Sequence, residues 1–333
     1  MEFTIGGQLE VRMTPADVGK RVSVRRVAEA PAEGARFTDT VGVLTSWDDG
    51  VLSVTTKQGR IVRIPESSLV AGKTVPPAPA RRRGPAASFA ELASATARAW
   101  QPVESEALGE WRLRAAGGFT RRANSALPLG DPGLPVGEAL ERVKAWYAAR
   151  DLPAYVQAST GAEGTQERLC ADLEDHGWRR EVSAEVRIAA LAPLGDLDAD
   201  VSAVRTARET DAAWLSRYQR FGTPGPHVLE VLASGPSVWF ASVPGGDADG
   251  VPAAIGRCVV DGRWAGFMAV EVGPEHRRRG LATAVMAALA RVALDEGASA
   301  AWLQVEADNE GARALYDGMG FATHHLYHHF RPA

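Results

Sequence analysis

Cysteine is almost missing from this sequence. Cys170 and Cys258 are the only two in 333 residues, far apart and outside any metal-like spacing. That excludes a disulfide scaffold and a thiolate-rich metal site, and it fits two small buried side chains in a reducing compartment. Long hydrophobic runs are missing as well: none approaches the ~18 apolar residues that cross a bilayer. The opening MEFTIGGQLEV lacks the basic-then-apolar order of a secretion signal, so the expectation is a cytoplasmic protein with no membrane partner. A cationic excess is the third absence. Lysine and arginine total 37 against 41 aspartates and glutamates, a formal net charge of −4. Nucleic-acid binders draw most of their affinity from surplus positive charge, so this balance argues against nucleic acid as the main partner. What remains, 45% hydrophobic and 23% charged residues, is the composition of a globular chain long enough for two or three domains.

Residues 1–75 read as all-β. KRVSVRRV, TVGVLTSW, GVLSVTT and RIVRIPE are short β-branched runs, and the glycines of DDG (48–50) and KQG (57–59) suit tight hairpin turns. About five strands in ~70 residues are too few for a sandwich, so a small SH3-like barrel is expected. A Pro/Ala/Arg linker follows at 76–87. A helix is expected to start at Ser88, with Glu91 completing a capping-box pattern. From 108 to 192 strand and helix alternate: EWRLRAAG and RRANSALPL as strands, GEALERVKAWYAARD as a helix, AYVQAS as a strand, TQERLCADLEDHGW as a helix, EVSAEVRIAAL as a strand. The same order returns after 260 and ends in FATHHLYHHF, which suggests an internal duplication.

The tetrapeptide RRRG occurs twice, at 81–84 and 277–280. In the first copy Pro85 lacks an amide hydrogen and holds Gly84 extended, so that copy is read as solvated linker charge. The second copy joins the apolar strand RWAGFMAVEV to the helix LATAVMAALARVALDEG, whose Leu281, Val285, Leu289 and Val292 form one stripe. A helix start after a tight turn exposes unpaired amides carrying roughly half a positive charge, a cradle for phosphate. Gly280 and Ala282 keep that cradle open, and the Thr283 hydroxyl is a further donor.

VEVGPEHRRRGLATAVM resembles the acetyl-CoA-binding motif of the GNAT acetyltransferase superfamily, Arg/Gln-x-x-Gly-x-Gly/Ala, here Arg277, Gly280 and Ala282. LQVEADNEGARALYDGMGF (303–321) resembles that family's second motif, with Asn309, Ala312, Leu315, Tyr316, Gly320 and Phe321 in place. The likeness covers 196–333 well, and 88–192 resembles a degenerate GNAT domain. The implied architecture is mixed α/β, a tandem GNAT fold behind the barrel, with the catalytic half at 193–333. The resemblance implies acetyl-CoA as cofactor and an amine acceptor. It implies that main-chain groups of Val270 and Val272 meet the pantetheine arm. The amides of Arg278, Arg279, Gly280, Leu281 and Ala282 would hold the diphosphate, and Asn309 would touch the cofactor. Tyr316 would act as general acid at the sulfur, its plain alternative being a tyrosine packed on the sheet. Glu271 and Glu306 are candidate bases beside a water-mediated route.

Where the first half would need its own cradle it carries PLGDPGLPVGEAL, with Asp131 and three prolines, so a second acetyl-CoA is not expected there. GGFTRRANS (117–125) resembles a segment of actinobacterial proteins with this layout; Arg121, Arg122 and Asn124 face either an acceptor or, as a strand edge, solvent. In the last strand His324 and His328 face one way and His325 and His329 the other, so at most two could share a metal. No metal is expected, and one histidine lining the acceptor cleft is the alternative. A second function class, an acetyl-CoA-binding regulator associated with nucleic acid, rests on VRRV (24–27) and the linker arginines.

Overall fold

A computed structural model describes residues 11–27, 37–76, 84–218, 224–245 and 250–333. The arginines of the first RRRG, at 81–83, lie outside the described residues. In chain order the strands β1 (Val11–Arg12), β2 (Arg21–Val27), β3 (Phe37–Asp48), β4 (Val51–Thr56), β5 (Ile61–Pro65) and β6 (Leu69–Thr74) come first. There follow α1 (Phe89–Ala99), β7 (Glu104–Leu108), β8 (Trp111–Ala115), β9 (Leu127–Pro128), α2 (Val136–Ala148), β10 (Val156–Thr160), α3 (Glu167–Asp175) and β11 (Trp178–Ala190). The last part holds α4 (Ala192–Gly195), β12 (Arg205–Ala207), α5 (Ala212–Arg217), α6 (Pro226–Ala233), β13 (Ser237–Val243), β14 (Ala254–Asp261) and β15 (Trp264–Val272). It closes with α7 (Leu281–Asp295), β16 (Ala300–Glu306), α8 (Glu310–Gly318) and β17 (Ala322–Pro332). Among the described residues no helix is long and apolar enough to cross a membrane.

Contacts divide the chain into two compact units, Met1–Ala80 with Ala158–Arg179, and Arg81–Gln157 with Arg180–Ala333. The first is a small β structure of order β1-β6-β2-β3-β4-β5. Asp49 and Gly50 both take positive φ (49° and 74°) between the paired Asp48 and Val51, the primed turn that DDG foretells. Alternation along the strands sends Val22, Val24, Leu44, Leu52, Val54 and Ile64 inward, each fully buried. Helix α3 belongs to this unit and contacts β3 and β4.

The second unit is built on a mixed sheet of order β10-β17-β11-β16-β15-β14-β13-β12. Helix α7 covers one face: Val285, Met286, Leu289, Ala290 and Ala293 pack with Cys258, Phe267, Ala301 and Leu303. Gly256 permits the close approach, because a Cβ there would collide with Val285. The other face is covered by α1, α5 and α6 through Leu92, Ala95, Trp214, Val228, Val231 and Leu232. The predicted start of α1 is where the sequence puts it, with the Ser88 hydroxyl accepting from the Glu91 amide at 3.1 Å. Strand β11 pairs antiparallel with β16, Ala184 opposite Glu306 through Ala190 opposite Ala300. The expected boundary after 192 thus falls at the end of a strand lodged between β16 and β17.

One expected strand is not a strand. Of RRANSALPL only Leu127–Pro128 form a strand, Ala126 makes a single bridge to Val156, and Arg121–Ala123 form a 3-10 turn. The cause is Asn124, which is buried and uses its whole amide group on main chain. Its Oδ1 accepts from the Ala116 and Gly118 amides (2.8 and 3.0 Å), and its Nδ2 donates to the Phe119 and Thr120 carbonyls (2.8 Å each). Such side-chain bonds replace the ladder that a strand would need.

Candidate active site

Strands β15 and β16 run parallel and pair only from Trp264–Ala300 to Phe267–Leu303. Beyond that point they part. Ala269 takes a φ of 51° at a bulge against β14, a conformation that favours glycine, so the outer half of β15 is turned out of regular register. A cavity of about 410 Å3 opens at the split. Its wall includes Val270, Glu271, Glu306, Asn309 and Tyr316 from the sequence-derived set. Val270 and Val272 also pack toward the α7 core, so alternation carries Glu271 to the opposite side of the strand.

Tyr316 stands on α8 with its ring edge against Phe321, 5.9 Å between centroids. Burial pushes its hydroxyl up to about 12, so the proton stays on at neutral pH. Asn309 is the cap of the same helix; its Oδ1 accepts from the Ala312 amide at 3.0 Å. Its placement in the cavity wall therefore has a structural cause of its own.

Val272 and the 277–283 segment are not in the cavity wall; the latter forms the start of α7. Arg278 and Gly280 take positive φ, 63° and 75°, on either side of Arg279. That alternation turns successive amides to one side. The first helical bond is Ala284 N–H to the Gly280 carbonyl, 2.9 Å, so the amides of Leu281, Ala282 and Thr283 have no acceptor within the helix. Among the described residues a Cβ built on Gly280 would meet nothing within 4 Å beyond its own chain neighbours, so the space in front of it is open. Arg277, Arg278 and Arg279 are exposed, and Arg279 reaches back to His276 Nδ1 at 3.1 Å. This is the geometry that a diphosphate requires.

In the first half, the turn ahead of α2 is arranged differently. The Gly133 amide already donates to the Asp131 carboxylate (2.6 Å), and the Asp131 amide to Glu110 (2.7 Å). Protein carboxylates occupy the donors that a phosphate would want.

The remaining cavity wall was only partly legible. Thr120, Arg121 and Arg122 are in it, rather than on a solvated strand edge, and so are Tyr218, Gln304, Tyr327 and His329. Tyr327 and His329 are two residues apart on β17, as are Gln304 and Glu306 on β16; period-two spacing is the signal that could have grouped them. His329 is 3% exposed, and burial, then the neighbouring Arg114, Arg122 and Arg121 charges, hold its ring well below the usual histidine range. The other tail histidines are engaged elsewhere: His328 with Ser183 at 2.7 Å, His324 with His325 (2.9 Å) and the Ala87 carbonyl (3.0 Å). Among the described residues no three His, Cys, Asp or Glu gather as a metal site. Cys258 is buried with its thiol pushed up to about 12, far from thiolate reactivity.

Comparison with known proteins bears on this geometry. The family model described as "Probable histone acetyltransferase Rv0428c C-terminal" matches residues 86–330, and that described as "Rv0428c N-terminal Sm-like domain" matches 16–73. The latter is a small β-barrel of the kind expected for the amino-terminal segment. The chain is 29% identical over 314 residues to the Mycobacterium tuberculosis protein named probable histone acetyltransferase Rv0428c, spanning 92% of this chain and 93% of that one. It is 25% identical over 244 residues to YobR of Bacillus subtilis, named an uncharacterized N-acetyltransferase, spanning 71% and 94%. A GCN5-related N-acetyltransferase from Kribbella flavida shares the fold, with a TM-score of 0.54 and 20% identity over 74% of this chain and 96% of that one. The cradle, the split sheet and the match across most of the length lead to one conclusion: the chain belongs to the Rv0428c family and is an acyltransferase of the GNAT superfamily.

Proposed function

We propose that the chain is an acetyl-CoA-dependent N-acetyltransferase that passes the acetyl group directly to an amine acceptor held in the same cavity. The observation that carries this reading is the pairing of an open amide cradle at 277–283 with a cavity, at the split of β15 and β16, whose wall holds both a carboxylate and a protonated phenol. The amides of Arg278 to Thr283 would hold the diphosphate, and the outer main chain of Val270 and Val272 would meet the pantetheine arm. Acetyl-CoA supplies an acyl group already activated as a thioester.

The residues then have little covalent work to do. An ammonium group cannot attack, so Glu271 takes the proton from the acceptor, with Glu306 as the second carboxylate of the wall. Strand amides freed where β15 leaves β16 stabilise the charge that develops on the carbonyl oxygen. Tyr316 keeps its proton until the sulfur departs and then donates it. Segment 88–192 contributes structure and cavity wall rather than a second cofactor site. Two buried free cysteines suit a reducing, cytoplasmic setting.

The test is thiol release from acetyl-CoA with a panel of amines, each product identified by a gain of about 42 Da as an acetyl group replaces one hydrogen. Glu271→Gln is expected to lower kcat by about 100-fold and to flatten the rise of rate with pH. Gly280→Glu, which adds a strained side chain and a negative charge to the cradle, is expected to weaken acetyl-CoA binding by about 100-fold. Binding without thiol release for every amine would favour a cofactor-sensing role instead.

A further inference from the structure

The cavity wall carries both signs of charge, Glu271 and Glu306 against Arg121 and Arg122. Arg122 is half-buried, donates to Gln304 Oε1 and lies over the Trp100 ring, 5.2 Å from its centroid. Among the described residues no carboxylate pairs with Arg122, whereas its neighbour Arg121 is matched by Glu181 at 2.7 Å. Gln304 and Glu306 share a face of β16, so the residue that Arg122 holds lies roughly 7 Å along the strand from Glu306.

The setting of Arg122 is built rather than incidental. The four bonds of Asn124 pin the 116–120 loop, and Trp100 Nε1 donates to Thr120 Oγ1 at 2.9 Å. Thr120 is held at a φ of 58°, a costly conformation for a β-branched residue. His329 also lies in the cavity wall, 3% exposed, its ring nitrogens sealed from solvent and, among the described residues, without a hydrogen-bond partner.

Resting on the acyl-transfer reading above, we propose that Arg122 and Thr120 form the anion-binding end of the acceptor subsite, and that the acceptor is a small amine carrying its own carboxylate. A planar carboxylate matches the guanidinium fork, with the Thr120 hydroxyl supplying a further hydrogen bond. The amine then extends toward Glu271 and Glu306 at the split. A volume of about 410 Å3 suits a molecule of amino-acid size. A lysine-rich peptide is disfavoured because it would bring further cations to an uncompensated arginine.

The experiment uses the full chain with saturating acetyl-CoA and a series of ω-amino acids from glycine to 6-aminohexanoate, each beside its carboxamide, plus a lysine-rich peptide. At least one amino acid is expected to show a KM about 10-fold or more below that of its carboxamide. Arg122→Gln should raise that KM about 10-fold while moving kcat much less, and erase the preference; Arg122→Lys should recover part of it. Equal use of the carboxamide, better use of the peptide, or an unchanged preference in Arg122→Gln would overturn the proposal while leaving acetyl transfer intact. Calorimetric titration of 6-aminohexanoate and γ-aminobutyrate without acetyl-CoA separates the two failures. Binding that Arg122→Gln abolishes supports the subsite even where no thiol is released. If no carboxylate-bearing amine binds or reacts, the subsite is refuted.

Discussion

Tyr316 and Asn124 show how differently two side chains can matter. Tyr316 is a packed ring with a hydroxyl that burial keeps protonated; Tyr316→Phe removes the donor and little packing. Its expected result is a kcat lower by about 100-fold with a melting temperature within a few degrees, read from steady-state kinetics and calorimetry. Asn124 touches no ligand position but satisfies four main-chain groups. Asn124→Ala leaves buried amides and carbonyls unpaired, so about 2–4 kcal/mol of stability should go, together with the loop that presents Arg122. Urea unfolding checks the first consequence and the acceptor KM the second. Of these residues, Tyr316 was legible because its motif is local. Arg122 was legible only as one of two alternatives and Thr120 not at all, since no periodicity announces a loop held by one buried amide side chain.

At the scale of elements, β17 carries the clearest pH dependence. Burial, then a neighbouring charge (His324 for one, Arg180 for the other), brings His325 and His328 down to about 3. Their unfolded value is near 6.5, so the folded state binds fewer protons. The associated stability is full above about pH 6.5 and is lost as pH falls toward 3, by up to about 1.4 kcal/mol per pH unit for each histidine. Urea midpoints measured from pH 7.5 to 5 should fall; a flat profile would contradict buried neutral rings. Strand and helix positions in this part of the chain were readable from period two and period 3.6, and the cradle from its place between them. The bulge at Ala269 was not, because alanine gives no sign of a positive φ that glycine would have signalled. It is the sheet pairing that forces that conformation, and pairing is nonlocal.

For the whole molecule, two consequences follow from how the chain is partitioned. The turn before α7 is open at Gly280, whereas ahead of α2 the Asp131 and Gly133 amides are taken by Glu110 and Asp131, so titration with CoA should give one site per chain. Segment 158–179 belongs to the barrel unit, where Cys170, Ala171 and Leu173 of α3 are buried. A chain beginning at Gly84 should therefore be cleaved by protease within 158–179 while the full chain resists. Sequence order hides such a discontinuous unit, since nothing in the helix pattern says which core it joins. The lodging of β11 between β16 and β17 has a further effect during translation. The residues that pair with Ala184–Ala190 emerge from the ribosome more than a hundred positions later, a delay on the order of 5–20 s. Throughout that interval the nascent strand WRREVSAEVRIAA waits with both flanks bare, and its Arg179, Arg180, Glu181, Glu185 and Arg187 are the charges that keep a waiting β-segment from joining another chain.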